Sequence, residues 1–321
     1  MRLNVSRNVL LTVIVITIIV FAEIFCRIIL GLGDPPIYIT DKSVEYLLKP
    51  NQSLKRFGNH VFVNNWGMRS VNFSQKKQNS NEVRVLIFGD SVINGGSETD
   101  QSLLATTLLQ QRLQTLTSKP VIVGNVSAGS WGPGNWLAYA RRYGYFDADI
   151  IVLIVNSGDF ADNPTFEHLE STHPTQKPVM ALQEATFRYL PRYIPSYSNQ
   201  ADEPKVPISQ EAIAQGNSDL RTFLSLAKTG RRKVMMFHHP DKPELLANKF
   251  SQGHNEMREL AAELNITFFD LMPRYSKFGA AIYRDGIHPN PKGQKVLSDA
   301  FYDALIPILD TDQSYLKTNV L

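Results

Sequence analysis

Val83-Arg84-Val85-Leu86-Ile87-Phe88, followed at once by Gly89-Asp90-Ser91, is the stretch on which the reading of this chain turns. A short run of β-branched and large apolar residues closed by Gly-Asp predicts a buried strand that stops at a tight turn. Ser91 then sits where the strand hands over to a helix, at the carboxyl edge of a sheet. Open α/β sheets bind their ligands at that edge. Far downstream the chain offers Asp285-Gly286-Ile287-His288-Pro289-Asn290, a carboxylate three residues before an imidazole. A serine hydroxyl is a weak nucleophile until a base takes its proton, and the base works best when a carboxylate fixes its tautomer. Ser91, His288 and Asp285 are therefore expected to meet as nucleophile, base and orienting group. Pro289 and Pro291 stiffen the loop that carries His288 and set the start of the last helix.

Outward from the first strand, the pattern alternates. Strands are predicted at 83–88, 121–125, 150–155, 234–237 and 266–269. Helices are predicted near 102–116, 135–143, 218–229, 253–264 and 292–309. Five short apolar strands separated by amphipathic helices specify an α/β fold with a parallel, doubly wound sheet. Residues 164–207 break the alternation with Phe166, Phe187, Tyr189, Tyr193 and Tyr197 among prolines and polar residues. An insertion of this length after the third strand reads as a substrate-lining lid or as plain decoration.

Val9 to Ala22 is almost continuously apolar, and apolar character continues past Glu23 and Arg27 to Leu32. As one helix this segment is about 36 Å long at about 1.5 Å per residue, enough to cross a bilayer. Glu23 and Arg27, four apart, can pair on one helical face. Arg2 and Arg7 precede the segment and Asp34 follows it, which puts the amino terminus in the cytoplasm and the rest outside. A cleaved signal peptide ending at Val20-Phe21-Ala22 is the rival reading, and it too exports the remainder. The expected organisation is an N-terminal transmembrane signal anchor at 1–33, then a small flanking region of strands and turns at 34–82. The main α/β domain follows at 83–310, with a tail at 311–321.

Hydrophobic residues make up 43% of the 321 and charged residues 20%, so a sizeable core is available. Lys and Arg total 33 against 30 Asp and Glu, a net charge of +3 with no dense basic block. Nucleic acid as a partner has no electrostatic footprint here. Cys26 is the single cysteine, which excludes an intrachain disulfide and a cysteine-based metal centre. His238-His239 ends the fourth strand, but neighbouring residues on a strand point to opposite faces and chelate poorly as a pair. No metal and no cofactor are expected, although one of the two imidazoles can line the pocket.

Gly89-Asp90-Ser91-Val92 and Asp285-Gly286-Ile287-His288-Pro289-Asn290 resemble the first and last signature blocks of the SGNH/GDSL hydrolase superfamily. The resemblance covers about Val83 to Leu309. It implies a flavodoxin-like three-layer α/β/α fold with a five-stranded parallel sheet, and ester hydrolysis or acyl transfer through a covalent acyl-serine. By this similarity Ser91 is the nucleophile, His288 the general base and Asp285 its partner, with the Ser91 N–H as one oxyanion donor. Asn125-Val126-Ser127-Ala128-Gly129-Ser130 resembles the family's second block, whose glycine gives a backbone N–H to the oxyanion; Gly129 or Ser130 takes that place. The third block departs from the pattern. Where Gly-x-Asn-Asp is expected, the chain has Asn156-Ser157-Gly158-Asp159, so glycine replaces the oxyanion asparagine and Asn156 or Asn163 is left to supply it.

These residues lead first to a membrane-tethered, outward-facing serine esterase that removes acyl groups, acetyl among them, from a carbohydrate. Trp131, Trp136 and the tyrosines of the insertion are candidates for stacking on sugar rings. An O-acyltransferase that uses the same three residues is a second reading. A non-catalytic carbohydrate-binding or assembly component is a third, favoured by Gly158 and opposed by the intact Ser91, Asp285 and His288.

Overall fold

The structure, a computed structural model, describes residues 6–167, 169, 173–190 and 209–311. Tyr193, Tyr197 and the tail beyond Thr311 lie outside the described residues. Along the chain, helix Arg7–Ile28 is followed by two antiparallel hairpins. These are β1 (Tyr38–Asp41) with β2 (Glu45–Leu48), and β3 (Gln52–Arg56) with β4 (Asn59–Val63). Five further strands form the central sheet: β5 (Val83–Gly89), β6 (Val121–Ser127), β7 (Ile150–Val155), β8 (Lys233–His238) and β9 (Thr267–Asp270). Their spatial order is β6-β5-β7-β8-β9 and every pairing is parallel, which is the flavodoxin-like arrangement.

Both faces of the sheet are covered, which is why its strands read as unbroken apolar runs. Side chains alternate along β5. Val83, Val85 and Ile87 face helices Ala105–Gln114 and Pro291–Thr311 through Leu109, Leu113, Leu297, Phe301 and Leu305. Leu86 and Phe88 face the other layer, where Trp136, Leu220, Phe223 and Met257 come from helices Pro133–Tyr143, Gln210–Ala227 and Gln252–Glu263.

Helix Gln210–Ala227 starts well before the expected 218. Ser209 caps it by accepting the Ala212 N–H at 3.1 Å. Gly216 inside it weakens the sequence signal but is needed there, because a Cβ would stand 2.1 Å from the Phe160 carbonyl oxygen. The region 34–82 is more than a flank: Val44, Tyr46, Leu47, Met68 and Phe73 bury in the same core as Phe88 and Trp136. Arg69, from that region, is buried and donates to the carbonyls of Asn94 and Thr99 at 3.0 and 3.1 Å. It thereby clamps the loop that follows Ser91, and burial lowers its guanidinium to about 10.

Candidate active site

Gly89 ends β5 so close to β7 that a Cβ would stand 2.6 Å from Ile154 Cγ2. The chain therefore turns sharply here, and several buried side chains fix the turn. Trp136 Nε1 donates to the Gly89 carbonyl at 2.9 Å. Asp90 caps the short helix Ser91–Asn94 by accepting the Val92 N–H at 2.9 Å. Asn125 Nδ2 donates to the Ile93 carbonyl at 2.9 Å, and Gln294 Nε2, from the last helix, to the Val92 carbonyl at 3.1 Å. Gly95 closes this one turn of helix at φ 76°. Ser91 is thus the first residue of a helix, where its own N–H is not used in the helical ladder.

The loop after Ile282 brings the other two groups. Asp285 Oδ1 accepts the N–H groups of Ile287 and His288 at 3.0 and 2.8 Å, folding the loop into a tight turn. His288 Nδ1 meets Asp285 Oδ2 at 2.8 Å, and His288 Nε2 meets Ser91 Oγ at 2.8 Å. A carboxylate accepts, so the Nδ1–H points at Asp285, and Nε2 carries the lone pair that faces the serine hydroxyl. Burial works to raise the Asp285 carboxyl, but the Ile287 and His288 N–H groups and the His288 ring outweigh it and hold it at about 2. The loop is braced from beneath. His239 Nε2 lies 2.8 Å from the Ile287 carbonyl and its Nδ1 3.0 Å from Tyr275 Oη. A carbonyl only accepts, so Nε2 carries the proton and Nδ1 accepts from the tyrosine. Burial lowers His239 to about 4, which keeps it neutral.

Ser91 and His288 open into a cavity of about 410 Å³ whose walls include Asn94, Glu98, Gly129 and Arg284. Further wall residues come from two places distant in sequence: Pro36 and Tyr38 at and just before the start of β1, and Arg188 and Tyr189 from the insertion. His173, also of the insertion, packs on Tyr38 and Tyr46 with ring centroids 4.7 Å apart in each case. A Cβ on Gly129 would stand 3.2 Å from His173 Nε2, so glycine keeps this corner open.

Of the oxyanion candidates, Gly129 lines the cavity with Ser91. Ser130 follows it at φ 58° and is not part of the lining. The two asparagines are directed elsewhere. Asn163 Nδ2 donates to the carbonyls of Ala161 and Ala212 at 3.1 and 2.9 Å. Asn156 Nδ2 donates to Asp90 Oδ2 at 3.1 Å and Asp159 Oδ1 at 2.7 Å, while its Oδ1 accepts the Gly158 N–H at 2.7 Å. Asn156 instead holds together two buried carboxyls. Burial raises Asp90 and, with the nearby Asp90 charge, raises Asp159 well above the ordinary range. Asp162 is pushed up to about 6 by burial and by the charges of Asp90 and Glu45.

Trp131 and Trp136 are not sugar platforms. Both are buried, with their Nε1 atoms donating to the carbonyls of Tyr46 and Gly89. Neither His238 nor His239 lines the cavity: His238 faces Ser157 Oγ at 2.9 Å, and His239 supports the loop from the opposite side. Tyr38, Glu98, Arg188 and Arg284 border the site without having been singled out in the sequence. Arg284 adjoins Asp285 and was within reach of inspection; the other three carry no local signal.

The GDSL-like lipase/acylhydrolase family matches residues 85–301. Among solved structures, the chain is similar to TesA, at 17% identity and TM-score 0.46, over 70% of this chain and 99% of that one. It is also similar to Axe2, an acetylxylan esterase from Geobacillus stearothermophilus (14%, 0.45, 69% and 93%). The lipase/acylhydrolase from Enterococcus faecalis is a third such structure (14%, 0.44, 70% and 96%). Among curated proteins, none matches. With more than half its length matched to one family, the chain belongs to the GDSL-like lipase/acylhydrolase family, the SGNH/GDSL serine hydrolases.

Proposed function

We propose that the protein is a membrane-anchored serine esterase that works outside the cytoplasm and removes short acyl groups, acetyl first among them, from a carbohydrate. The observation that carries the reading is the unbroken chain from Asp285 through His288 to Ser91 at the wall of the cavity. Ser91 Oγ attacks the ester carbonyl as His288 Nε2 takes its proton, and the ionised Asp285 stabilises the imidazolium. The N–H groups of Ser91 and Gly129 are the oxyanion donors in this account. Collapse of the tetrahedral intermediate expels the sugar alkoxide, which takes the proton from His288. Water, activated by the same imidazole, then cleaves the acyl-serine.

The lining supports a polar substrate with a short acyl group. Asn94, Ser97, Glu98, Arg188 and Arg284 offer donors and acceptors, while Pro36, Tyr38 and Tyr189 give the apolar and aromatic surface. A cavity of about 410 Å³ with this lining suits a sugar ring and an acetyl group better than a long hydrocarbon chain.

The membrane assignment rests on helix Arg7–Ile28, which is long and apolar enough to cross a bilayer and exposes apolar side chains all round. Arg2 and Arg7 on one side and Asp34 on the other support export of the catalytic domain. The test is a comparison of p-nitrophenyl esters from acetate to octanoate, together with acetate release from acetylated oligosaccharides. Preference for acetyl esters and release of acetate support the reading; preference for octanoate refutes the substrate class. Acetyl groups passed to an added oligosaccharide rather than to water would mark the O-acyltransferase instead.

A further inference from the structure

His238 ends β8, His254 lies in the first turn of helix Gln252–Glu263, and Asp270 ends β9. One ligand atom from each lies within 4.8 Å of the others. Both imidazoles are buried, at 0% and 3% exposure, and each spends one nitrogen on a neighbour: His238 Nε2 on Ser157 Oγ, His254 Nδ1 on Asn255 Oδ1. The other nitrogens, His238 Nδ1 and His254 Nε2, are buried with no hydrogen-bond partner among the described residues. Two orphaned nitrogens on neighbouring buried rings, whose centroids lie 4.6 Å apart, are costly unless something accepts from or binds to them. Asp270 is exposed, and its Oδ1 accepts the Met272 N–H at 2.8 Å, which leaves Oδ2 for another partner.

We propose that His238, His254 and Asp270 form a binding site for a divalent transition-metal ion of the zinc type. Two imidazoles and one carboxylate are ligands that such ions accept, with water completing the coordination from the solvent side of Asp270. The hydrogen bonds to Ser157 and Asn255 orient the rings, as outer partners of metal-bound histidines do. The site is held firmly before any ion arrives. Gly253 abuts the loop after β7 so closely that a Cβ would stand 2.1 Å from the Ser157 carbonyl oxygen, and Phe250 stacks on His254 with centroids 3.7 Å apart. The ion would therefore tie the start of this helix to the ends of two sheet strands, on the side of β8 away from His239 and the catalytic loop. Its expected effect is on stability.

The test uses the full-length protein in detergent, stripped with a chelator and dialysed, then titrated calorimetrically with Zn²⁺ alone. One equivalent is expected to bind and to raise the thermal midpoint, and Co²⁺ in its place is expected to give visible d–d bands. Losing an outer partner of a metal ligand costs about 10–100-fold in affinity, so loss of a ligand itself should cost at least about tenfold. His254→Gln and Asp270→Asn are each expected to weaken binding by that much. Asp270→Asn keeps the Oδ1 acceptor for Met272 and is exposed, so its folding is not at issue. Failure of Zn²⁺ to bind the parent protein, or binding unchanged in either variant, would overturn the proposal.

Discussion

Arg56 and Glu184 meet at 2.5 Å with both side chains buried, joining β3 to the insertion that walls the cavity. Arg56 also donates to the Gly31 carbonyl at 3.0 Å and to Tyr189 Oη at 3.0 Å, while Glu184 accepts the Gly33 N–H at 2.7 Å. One turn earlier, Glu23 accepts the Ala181 and Leu182 N–H groups at 2.9 and 2.8 Å. The exit of the apolar helix, the second hairpin and the insertion are therefore a single joint.

Glu184→Ala leaves the Arg56 charge buried without its partner, a change that costs about 3–5 kcal/mol. Chemical denaturation is expected to show that loss. Steady-state kinetics should show a raised KM with little change in kcat, because Tyr189 and Arg188 move while Ser91 does not. Replacing both partners by apolar residues, Arg56→Met with Glu184→Leu, is expected to recover most of the stability.

Asp285→Asn should lower kcat by about 10⁴-fold, since an amide no longer fixes the Nδ1–H tautomer of His288. The fold is expected to survive, as the amide oxygen can still accept the Ile287 and His288 N–H groups. In the parent protein the carboxyl sits at about 2, below its ordinary value of 3.8. Its stabilising effect is thus present above pH 3.8 and is lost as the pH falls through about 2. Circular dichroism at pH 4 should accordingly show the fold intact, with no loss that tracks the Asp285 carboxyl.

The half-buried carboxyl of Asp162 acts in the opposite sense. Asp162 is raised from 3.8 to about 6, so the folded state holds a proton that the unfolded state has released between those values. Stability from this group is full below pH 3.8 and declines as the pH rises through about 6. Asp162→Asn should flatten the decline and raise the melting temperature at pH 8 by about 2–4 °C, corresponding to about 1 kcal/mol. Calorimetric scans at pH 5 and pH 8 check both statements.

His239→Phe removes the support under the Ile287 carbonyl. A shift of about 1 Å in the His288 ring is enough to lower turnover by about 10²-fold. The expected result is a fall in kcat with KM nearly unchanged, measured on an acetyl ester.

The sheet was legible because its strands are buried on both faces, so Ile150 to Val155 and Val83 to Phe88 read as unbroken apolar runs. Asp285 and His288 were legible because one tight turn holds both. Ser91 could be linked to them only by chemistry, since the strand order that closes the gap is a tertiary fact. The same limit hid His254 and Asp270, which approach His238 from other elements, and the part of the wall that Tyr38 and Glu98 form. Trp131 and Trp136 misled because aromatic identity does not reveal which way a ring faces; packing of helix Pro133–Tyr143 on the sheet turned Trp136 inward, and Trp131, before that helix, is buried against Tyr46 and Tyr139. Asn156 had the right side chain in the right loop, but Asp90 and Asp159 occupy its amide.

Covalent labelling with a fluorophosphonate tests the central claim most directly. One label per chain is expected, on Ser91 by peptide mass mapping, with none in Ser91→Ala and hydrolysis there reduced by about 10⁶-fold. A folded parent protein that takes no label, or a Ser91→Ala variant that labels and hydrolyses as the parent does, would contradict the account.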